Sequence, residues 1–358
     1  MNAELGLTFA VFVVVLGTAL FLIRHAGKLT RIDVPDARRL HQTPTPRGGG
    51  LAMPFAVSAA TAALYFIQGK KSHELLLGVC AYALPNGLLG VVDDYHPLKS
   101  RWKFGIQILL AVGFVVLVGS VQEISLPAVG TARLGYAAAP FTVLWLVWST
   151  NVYNFMDGMD GLAAGSGVLF FGTLALLVWG SPMAAWVAVF GAAACAGFLA
   201  VNSPPAKIFM GDGGALFVGA LLGALAVLFG MRIDMVRVTT TSDGMISSYS
   251  TFYVAPFVAC ALAQGSFLWD ATYTLFARIV RREDWLHPHK RHLFQRLATH
   301  GWPHGKVRRT YAALGIAGSA AALAMKYMHP YIGLFAFAAA LIGFTGYAMF
   351  TERLERGA

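Results

Sequence analysis

The chain is unusually apolar for its length. Of its 358 residues, 57% are hydrophobic and 12% are charged, and the mean hydropathy is +0.63. Soluble domains carry about a quarter charged residues, so the composition excludes a soluble globular protein and indicates an integral membrane protein. The formal net charge of +10 fits either a nucleic-acid partner or a membrane orientation signal, and the positions of the basic residues decide between them.

Apolar segments long enough to cross a membrane recur along the whole chain. They predict an all-α integral membrane protein with about eleven transmembrane helices. No soluble domain, internal repeat or low-complexity tract stands out, so residues 1–358 are expected to form a single polytopic membrane domain. The predicted helices cover about residues 5–23, 51–68, 75–92, 104–120, 138–156, 162–179, 184–200, 213–230, 252–277, 311–328 and 331–350.

The basic residues give the orientation of these helices. Alternation places on one face the stretches 24–50, 93–103, 149–161, 201–212, 278–310 and the tail from Thr351. This face holds 21 of the 27 Lys and Arg residues, and the other face holds six. The positive-inside rule makes the basic face cytoplasmic, with the N-terminus periplasmic and the C-terminus cytoplasmic. Orientation therefore explains the charge, and no nucleic-acid partner is expected.

The most unusual polar stretch runs from Asn151 to Gly161, between two apolar segments. Its amides and carboxylates recur at intervals of three, at Asn151, Asn154, Asp157 and Asp160. Adjacent members share a helix face, because the drift is roughly 60° per step. A carboxylate at the centre of a bilayer costs roughly 2.5–3.5 kcal/mol. We therefore expect a water-accessible membrane edge. A polar helix end explains any one of these residues, whereas all four together indicate a site.

The loop 93–103 combines acidic and basic side chains. Asp93 and Asp94 are adjacent, and Lys103 is the last of three cations that follow. Lysine binds phosphate as a point charge, and carboxylates suit Mg²⁺, so the loop fits a site for both metal and phosphate. Ordinary charges flanking a helix end explain the same pattern equally well.

Two other loops on this face carry weaker signals. The run Thr43-Pro-Thr-Pro-Arg-Gly-Gly-Gly50, taken alone, fits a membrane-edge loop better than a site. Asp212 lies where the next helix begins and could simply cap it. Phe209 fits either the core or a surface on which a base stacks.

The longest loop, 278–310, is rich in histidine and basic residues. His289 and His292 lie beside Lys290 and Arg291. Zinc is disfavoured because no cysteine is near and the basic neighbours oppose a cation. The three cysteines, which all lie in apolar segments, are interpreted as small buried hydrophobic side chains. A diphosphate or an anionic sugar nucleotide suits this loop better.

A transporter is the main alternative from another functional class. It would place ionisable groups near the midplane of its helices. The clear in-span candidates are Asp270 and Gln264, which we expect to satisfy each other within the bundle. The other unusual polar residues lie in loops on one face.

Four motifs resemble, in order, those of the polyprenyl-phosphate N-acetylhexosamine-1-phosphate transferases, the superfamily of the MraY and WecA enzymes. They are Asp93-Asp94, Asn151-Val-Tyr-Asn-Phe-Met-Asp-Gly-Met-Asp-Gly-Leu162, Lys207-Ile-Phe-Met-Gly-Asp212 and the His-rich loop. The run Thr43–Gly50 also resembles its counterpart there. Two spans after the His-rich loop are similar to the WecA arrangement. The order His-Pro-His-Lys-Arg-His departs from the consecutive histidines of both enzymes and is most similar to the branch that initiates O-antigen and related surface glycans.

The resemblance implies a fold, a reaction and a location. The reaction is transfer of HexNAc-1-phosphate from a UDP-N-acetylhexosamine to undecaprenyl phosphate, with UMP released, at the cytoplasmic face of a bacterial inner membrane. The active site would be built from loops. An anion attacks an anion, so the main tasks of the protein are positioning and neutralisation, with Mg²⁺, or Mn²⁺ as an alternative, supplying charge stabilisation.

The resemblance also implies roles for particular residues. Asn154 and Asp212 would be the metal ligands, and Lys103 would contact the diphosphate. Asp93 and Asp94 would lie near the lipid phosphate, with Asp93 either orienting or deprotonating it or acting as a covalent nucleophile. The substrate-binding residues would be Asp157, Asp160 at the uracil edge, Phe209 on its face, and His289, Arg291 and His292 at the phosphate or sugar.

Two alternatives remain at this level. One is a phospho-MurNAc-pentapeptide transferase of peptidoglycan synthesis, and the other is a transporter of lipid phosphates or nucleotide sugars. The donor hexosamine and the oligomeric state, a homodimer included, are left open.

Overall fold

Apolar helices make up most of the chain in this computed structural model, which describes residues 31–33, 44–68, 73–179, 182–231, 240–242, 245–247, 256–283 and 291–356. Within these ranges we number twelve helices in chain order. They are α1 (Ala52–Gln68), α2 (His73–Tyr95), α3 (Ser100–Leu117), α4 (Ala138–Met156), α5 (Leu162–Leu177), α6 (Pro182–Asn202), α7 (Gly211–Gly230), α8 (Pro256–Ala263), α9 (Gly265–Val280), α10 (Leu293–Thr299), α11 (His304–Tyr327) and α12 (Pro330–Arg356).

Three short two-stranded antiparallel sheets accompany the helices. They are β1 (Arg31–Asp33) with β2 (Thr45–Arg47), β3 (Glu123–Leu126) with β4 (Gly130–Arg133), and β5 (Thr240–Ser242) with β6 (Met245–Ser247). The all-α prediction missed them, because three or four residues are too few to show an alternating apolar pattern.

Six of the described helices are long and apolar enough to cross a membrane on their own. They lie at Gly49–Phe66, His73–Tyr95, Ser100–Leu117, Ala184–Asn202, Gly211–Gly230 and Pro330–Glu355, and α5 is a shorter apolar helix. The first predicted span, 5–23, lies outside the described residues. The count of eleven spans therefore stays a prediction, while the mainly helical, membrane-type architecture is confirmed.

One predicted span, 252–277, is two helices. The chain turns at Gln264 between α8 and α9. The Gln264 side chain donates to the carbonyl of Cys260 at 3.3 Å and accepts from the Ser149 hydroxyl at 3.4 Å. It therefore does not satisfy Asp270, and that prediction is wrong, because Asp270 takes its donors from a different set of elements, described below.

The helix α7 lies at the centre of the bundle. Every one of its residues except Asp212 is buried, as expected for a helix that is apolar on all sides. It packs against α2 and α4 most extensively, and α6 and α8 also contact it. By contrast, α3 and α12 expose apolar side chains such as Leu109 and Phe335, consistent with a lipid-facing position.

Close packing of α2 on the start of α7 depends on Gly90. A Cβ atom at this position would lie 2.2 Å from the backbone oxygen of Asp212. Any side chain would therefore push the two helices apart. Small residues allow helices in membranes to approach closely in this way, and here the approach brings the last turn of α2 to the first turn of α7.

We predict that Gly90→Ala lowers the stability of the protein by about 1–3 kcal/mol, because the added methyl overpacks the α2–α7 contact. Gly113→Ala on α3 is the matched control, since nothing lies within 4 Å of its Cβ position and alanine is favoured in a helix. Thermal unfolding in detergent measures both. Equal midpoints for the two variants would contradict the role given to Gly90.

Candidate active site

Several charged side chains of the candidate site lie at helix ends and others lie in the loops between helices, and a site built from loops stays a prediction. Asp93 and Asp94 lie in the last turn of α2, and Lys103 lies in the first turn of α3, so only residues 96–99 separate these helices. Asp212 lies in the first turn of α7. Helix ends expose backbone donors and reach water, and polar side chains can be held there at lower cost.

Arg47 joins two of these carboxylates. Its Nη2 atom donates to Asp212 Oδ1 at 2.6 Å, and its Nε atom lies 3.0 Å from Asp94 Oδ1. Although burial opposes its charge, Asp212, Asp94 and Asp157 raise the pKa of Arg47 further. The sequence interpretation did not assign Arg47 a role, and the only signal for it was the resemblance of the run Thr43–Gly50 to a family motif.

The position of Arg47 is fixed by backbone hydrogen bonds to the loop before α7. Phe209 donates its N–H to the carbonyl of Pro46 at 2.8 Å, and its own carbonyl accepts from Gly48 and Gly49 at 3.0 and 2.9 Å. The side chain of Phe209 is half-buried in the same loop. These hydrogen bonds therefore join the segment that carries Arg47 to the loop that precedes α7.

Lys103 bridges Asp212 and the third carboxylate, Asp93. Its Nζ atom lies 2.7 Å from Asp93 Oδ2 and 3.5 Å from Asp212 Oδ2. Asp93 Oδ1 accepts from the backbone N–H of Leu98 at 2.6 Å. Both oxygens of Asp93 are therefore engaged.

Asp94 caps the start of α7. Its two oxygens accept from the backbone N–H groups of Asp212 and Gly213, both at 3.1 Å, which satisfies donors that the helix leaves unpaired. Gly211 has φ +76°, and a Cβ atom there would lie 2.6 Å from Asp94 Oδ2. Glycine is required at this turn for both reasons.

Asn154 and Asp157 approach the same carboxylates from the end of α4. Asn154 lies beside the Asp212 carboxylate. Asp157 follows the helix and its carboxylate has no hydrogen-bond partner among the described residues. Burial raises the pKa of Asp157 to about 7, with Asp212 and Asp94 adding to this and Arg47 opposing it. This carboxyl group is therefore only partly ionised near neutral pH.

We call these side chains together the charge cluster: Arg47, Asp93, Asp94, Lys103, Asp157 and Asp212. Four carboxylates meet two cations in it, so two negative charges lack a partner when all are ionised. A divalent cation fits this deficit. Mg²⁺ takes oxygen ligands, usually one or two carboxylates completed by water and substrate phosphates, and the oxygens of Asp212 and Asn154 supply such ligands. Among the described residues no group of three or more His, Cys, Asp or Glu side chains is arranged to hold a metal ion by itself.

The loop 157–161 is braced from the other side by Asn202. The Asn202 Oδ1 atom accepts from Gly161 N–H at 2.9 Å, and its Nδ2 atom donates to the carbonyl of Ile208 at 2.9 Å. Asp160 Oδ2 accepts from the N–H of Ala206 at 3.0 Å. These hydrogen bonds hold Asp160 against the loop that carries Phe209. They do not involve the side chains of the charge cluster.

The His-rich loop is only partly described. His289 lies outside the described residues. Arg291 forms an ion pair with Glu283 beyond the end of α9. His292 is almost buried, with Nδ1 3.2 Å from Asp270 Oδ1 and its ring stacked on that of Phe155.

Asp270 organises this region from inside the bundle. Its side chain is fully buried, and its oxygens accept from the backbone N–H groups of Leu293 and Phe294 at 2.9 and 3.3 Å. The hydroxyl of Tyr311 also donates to it. A buried carboxylate is stable when it is satisfied in this way. Asp270 therefore fixes both His292 and the start of α10, a positioning role that hydropathy could not reveal.

A cavity of about 490 Å³ opens beside the cluster between α3, α4 and α9. Lys103, Asn154 and His292 line it, whereas Leu144 and Val147 are among its apolar residues. The structure thus brings three of the predicted site residues to one cavity. It has a polar end at the charge cluster and an apolar remainder between the helices.

We predict that Asp270→Asn destabilises the protein by about 1.5–3 kcal/mol, the value of a hydrogen bond to a charged group, because the new amide would face the Phe294 donor. Amide exchange across 291–299 should rise in parallel. Tyr347→Phe is the control, since it removes only a hydroxyl that donates to Tyr311 at 3.2 Å. Wild-type exchange in Asp270→Asn would show that Asp270 does not position this segment.

Comparison with known proteins identifies the family. The model of Glycosyl transferase family 4 matches residues 76–230, a range that contains Asp93, Lys103, Asn154 and Asp212. A probable undecaprenyl-phosphate N-acetylglucosaminyl 1-phosphate transferase from Bacillus subtilis is 31% identical over 332 residues, which cover 90% of this chain and 86% of the relative.

Two further relatives carry related names. The decaprenyl-phosphate N-acetylglucosaminephosphotransferase of Mycolicibacterium smegmatis is 34% identical over 81% of this chain and 74% of its own length. A phospho-N-acetylmuramoyl-pentapeptide-transferase of Halalkalibacterium halodurans is 30% identical over 59% of this chain and 68% of its own length. All three are named as transferases, and none as the transporter that hydropathy left open. The chain therefore belongs to the polyprenyl-phosphate N-acetylhexosamine-1-phosphate transferases of glycosyl transferase family 4, integral membrane proteins.

Proposed function

We propose that this protein transfers HexNAc-1-phosphate from a UDP-N-acetylhexosamine to undecaprenyl phosphate, forming undecaprenyl-diphospho-HexNAc and UMP, and so initiates O-antigen or a related surface glycan. The observation that carries this proposal is the charge cluster at the polar end of an apolar cavity. Such a cavity suits a substrate with an anionic head and a long hydrocarbon chain. The positive-inside pattern supports a cytoplasmic site in the inner membrane.

The cavity between α3, α4 and α9 is the proposed acceptor site. Its apolar wall would take the first isoprene units, and the rest of the chain would stay in the bilayer. Lys103 would contact the diphosphate where it meets the lipid phosphate at the polar end, since among the described residues that line the cavity it is the one lysine or arginine. His292, fixed by Asp270, lies on the same wall and would contact the phosphate or the sugar.

The donor nucleotide would bind along the braced loops. Asp160 has one oxygen held by Ala206, which orients the carboxylate so that the other oxygen could accept from uracil N3–H. The half-buried ring of Phe209 would stack on the base. Asp157 and Arg291 would face the phosphates or the sugar, and His289 remains a predicted contact in the part of the loop outside the described residues.

The donor set supports a divalent cation, Mg²⁺ or Mn²⁺, held by Asp212 and Asn154. When bound, it would neutralise charge on the diphosphate. Without the cation, Arg47 and Lys103 form ion pairs with the Asp212 oxygens. The protein residues would then keep the diphosphate in line with the lipid phosphate, which is the main requirement of phosphoryl transfer.

Asp93 is proposed to position the acceptor and not to form a covalent intermediate. Its Oδ1 and Oδ2 atoms accept from Leu98 N–H and Lys103, contacts that hold the carboxylate in place and lower its nucleophilicity. The second pKa of a phosphate monoester is near 6, so the acceptor is already largely a dianion at neutral pH. The acceptor can therefore attack the donor diphosphate directly, without a nucleophile from the enzyme.

A phospho-MurNAc-pentapeptide transferase remains the alternative donor class. Relatives of both kinds match this chain, at 31% and 30% identity. Two helices, α11 and α12, follow the His-rich loop, and this supports the N-acetylhexosamine branch, in which two spans are expected there.

We predict that the purified protein releases UMP only when a UDP-N-acetylhexosamine, undecaprenyl phosphate and Mg²⁺ are all present. Asp212→Asn should keep the fold, because the amide preserves the shape of the side chain, yet lose more than about 100-fold in rate, because it removes a ligand charge. Glu123→Gln on β3, a carboxylate at the far end of α3 from the site, is the matched control.

A panel of donors completes this test. Release of UMP only from UDP-MurNAc-pentapeptide would favour the alternative donor class. Near-wild-type turnover of Asp212→Asn at unchanged Mg²⁺ would remove Asp212 from the metal site.

We predict that no radiolabelled UMP exchanges into UDP-HexNAc when all lipid phosphate has been removed, because direct attack requires the acceptor. A covalent aspartyl intermediate would instead produce exchange without lipid. Exchange that disappears in Asp93→Asn would establish Asp93 as the nucleophile and overturn direct displacement.

A further inference from the structure

A second apolar crevice lies on the other side of the loop 157–161. It has a volume of about 490 Å³ and is formed by α5, the end of α6 and α11. None of the charge-cluster residues lines it. Its apolar wall includes Leu162, Leu169, Leu199 and Ile316.

Arg308 lies at the mouth of this crevice. Its Nη1 atom is 3.3 Å from the position that a Cβ atom would take on Gly161. The side chain is half-buried, and within the part of the chain that the structure describes it forms no ion pair or hydrogen bond. A partly desolvated guanidinium without an acceptor is unfavourable, so the geometry favours an anion at this point.

The crevice has the dimensions of a groove for one hydrocarbon chain. Arg308, Ala312 and Ile316 follow one face of α11 and line the crevice together, so it runs for about 12 Å at 1.5 Å per residue. Leu169 contacts Gly315, since a Cβ atom there would lie 2.9 Å from Leu169 Cδ2, and this narrows the inner end. Ile316 is 57% exposed, so the groove opens toward the membrane.

We propose that this crevice binds one anionic glycerophospholipid, with its phosphodiester on Arg308 and one acyl chain along α5 and α11. Charge complementarity selects an anionic headgroup, because no described acidic side chain lines the crevice to hold the amine of a zwitterionic lipid. Ser166, which is 8% exposed and has no hydrogen-bond partner among the described residues, supplies an additional donor. The anionic leaflet that faces the cytoplasm would provide the lipid.

Binding at this crevice would stabilise the loop that carries Asp157 and Asp160. Gly161 lines the crevice and is also held by Asn202. A lipid over Gly161 would therefore favour the braced position of the loop and lower KM for the UDP-sugar more than it changes kcat. This effect on KM rests on the proposed function, whereas lipid binding itself does not.

The test uses the full chain in nanodiscs of phosphatidylcholine with or without one-fifth phosphatidylglycerol, and native mass spectrometry counts the lipid retained after transfer to detergent. Wild type should retain one phosphatidylglycerol in preference to phosphatidylcholine. Arg308→Gln should reduce retention at least fivefold, and Arg309→Gln, an exposed neighbour on α11, should not. Ala312→Trp should also reduce it, because it fills the groove while leaving Arg308 in place.

Each outcome is decisive for the crevice. Equal retention in Arg308→Gln and Arg309→Gln, or equal retention of the two lipids by wild type, would overturn the proposal. Competition by soluble glycerol 3-phosphate would show that the headgroup binds without the groove, which also contradicts it. If phosphatidylglycerol is retained but no UMP is released from any donor, the proposed function fails and the lipid site stands.

Discussion

Arg47 and Lys103 hold the ends of three apolar helices together by pairing with carboxylates that would otherwise repel one another. Arg47 connects Asp94 with Asp212, and Lys103 connects Asp93 with Asp212. The cations do not balance all the acids, and this imbalance adds to the effect of burial, which raises the pKa of Asp157. A site that lacks two positive charges is stable only if it is partly protonated or if cations and substrates complete it. The same deficit that costs stability therefore favours a divalent cation, and the cation in turn would offset the charge of a diphosphate.

The central helix makes this arrangement possible. Because α7 is buried along its length, its N-terminal donors end inside the protein and need an internal acceptor, which Asp94 provides. Gly90 and Gly211 remove the side chains that would keep the acceptor away. Packing and electrostatics therefore depend on each other here. The glycines let α2 approach the start of α7, and this approach brings the Asp94 carboxylate to the N–H groups that it caps.

The sequence predicted the apolar helices and most of the acidic site, because hydropathy and a motif such as Asp93-Asp94 are local signals. It did not predict Arg47, whose partners lie far along the chain, since a Pro-Arg-Gly run alone looks like an ordinary membrane-edge loop. The break at Gln264 was hidden because hydropathy averages over a window longer than one turn. Asp270 was recognised as unusual but given the wrong partner, because its donors come from α10 and α11, and only the tertiary fold brings them together.

The two cavities lie on opposite sides of the loop 157–161. The surroundings of their basic side chains suit them to different lipid phosphates. No described acidic side chain lines either cavity, but Lys103 in the first is paired with Asp93 and Asp212, so an anion can settle there only with cations that offset these carboxylates, as a reacting phosphate monoester with its metal does. Arg308 in the second forms no ion pair with a described residue, so a non-reacting phosphodiester can remain there at neutral pH without further help. Asn202 holds the loop between these cavities from within. The position of Asp157 and Asp160 is therefore determined by the protein on one side and by the composition of the membrane on the other.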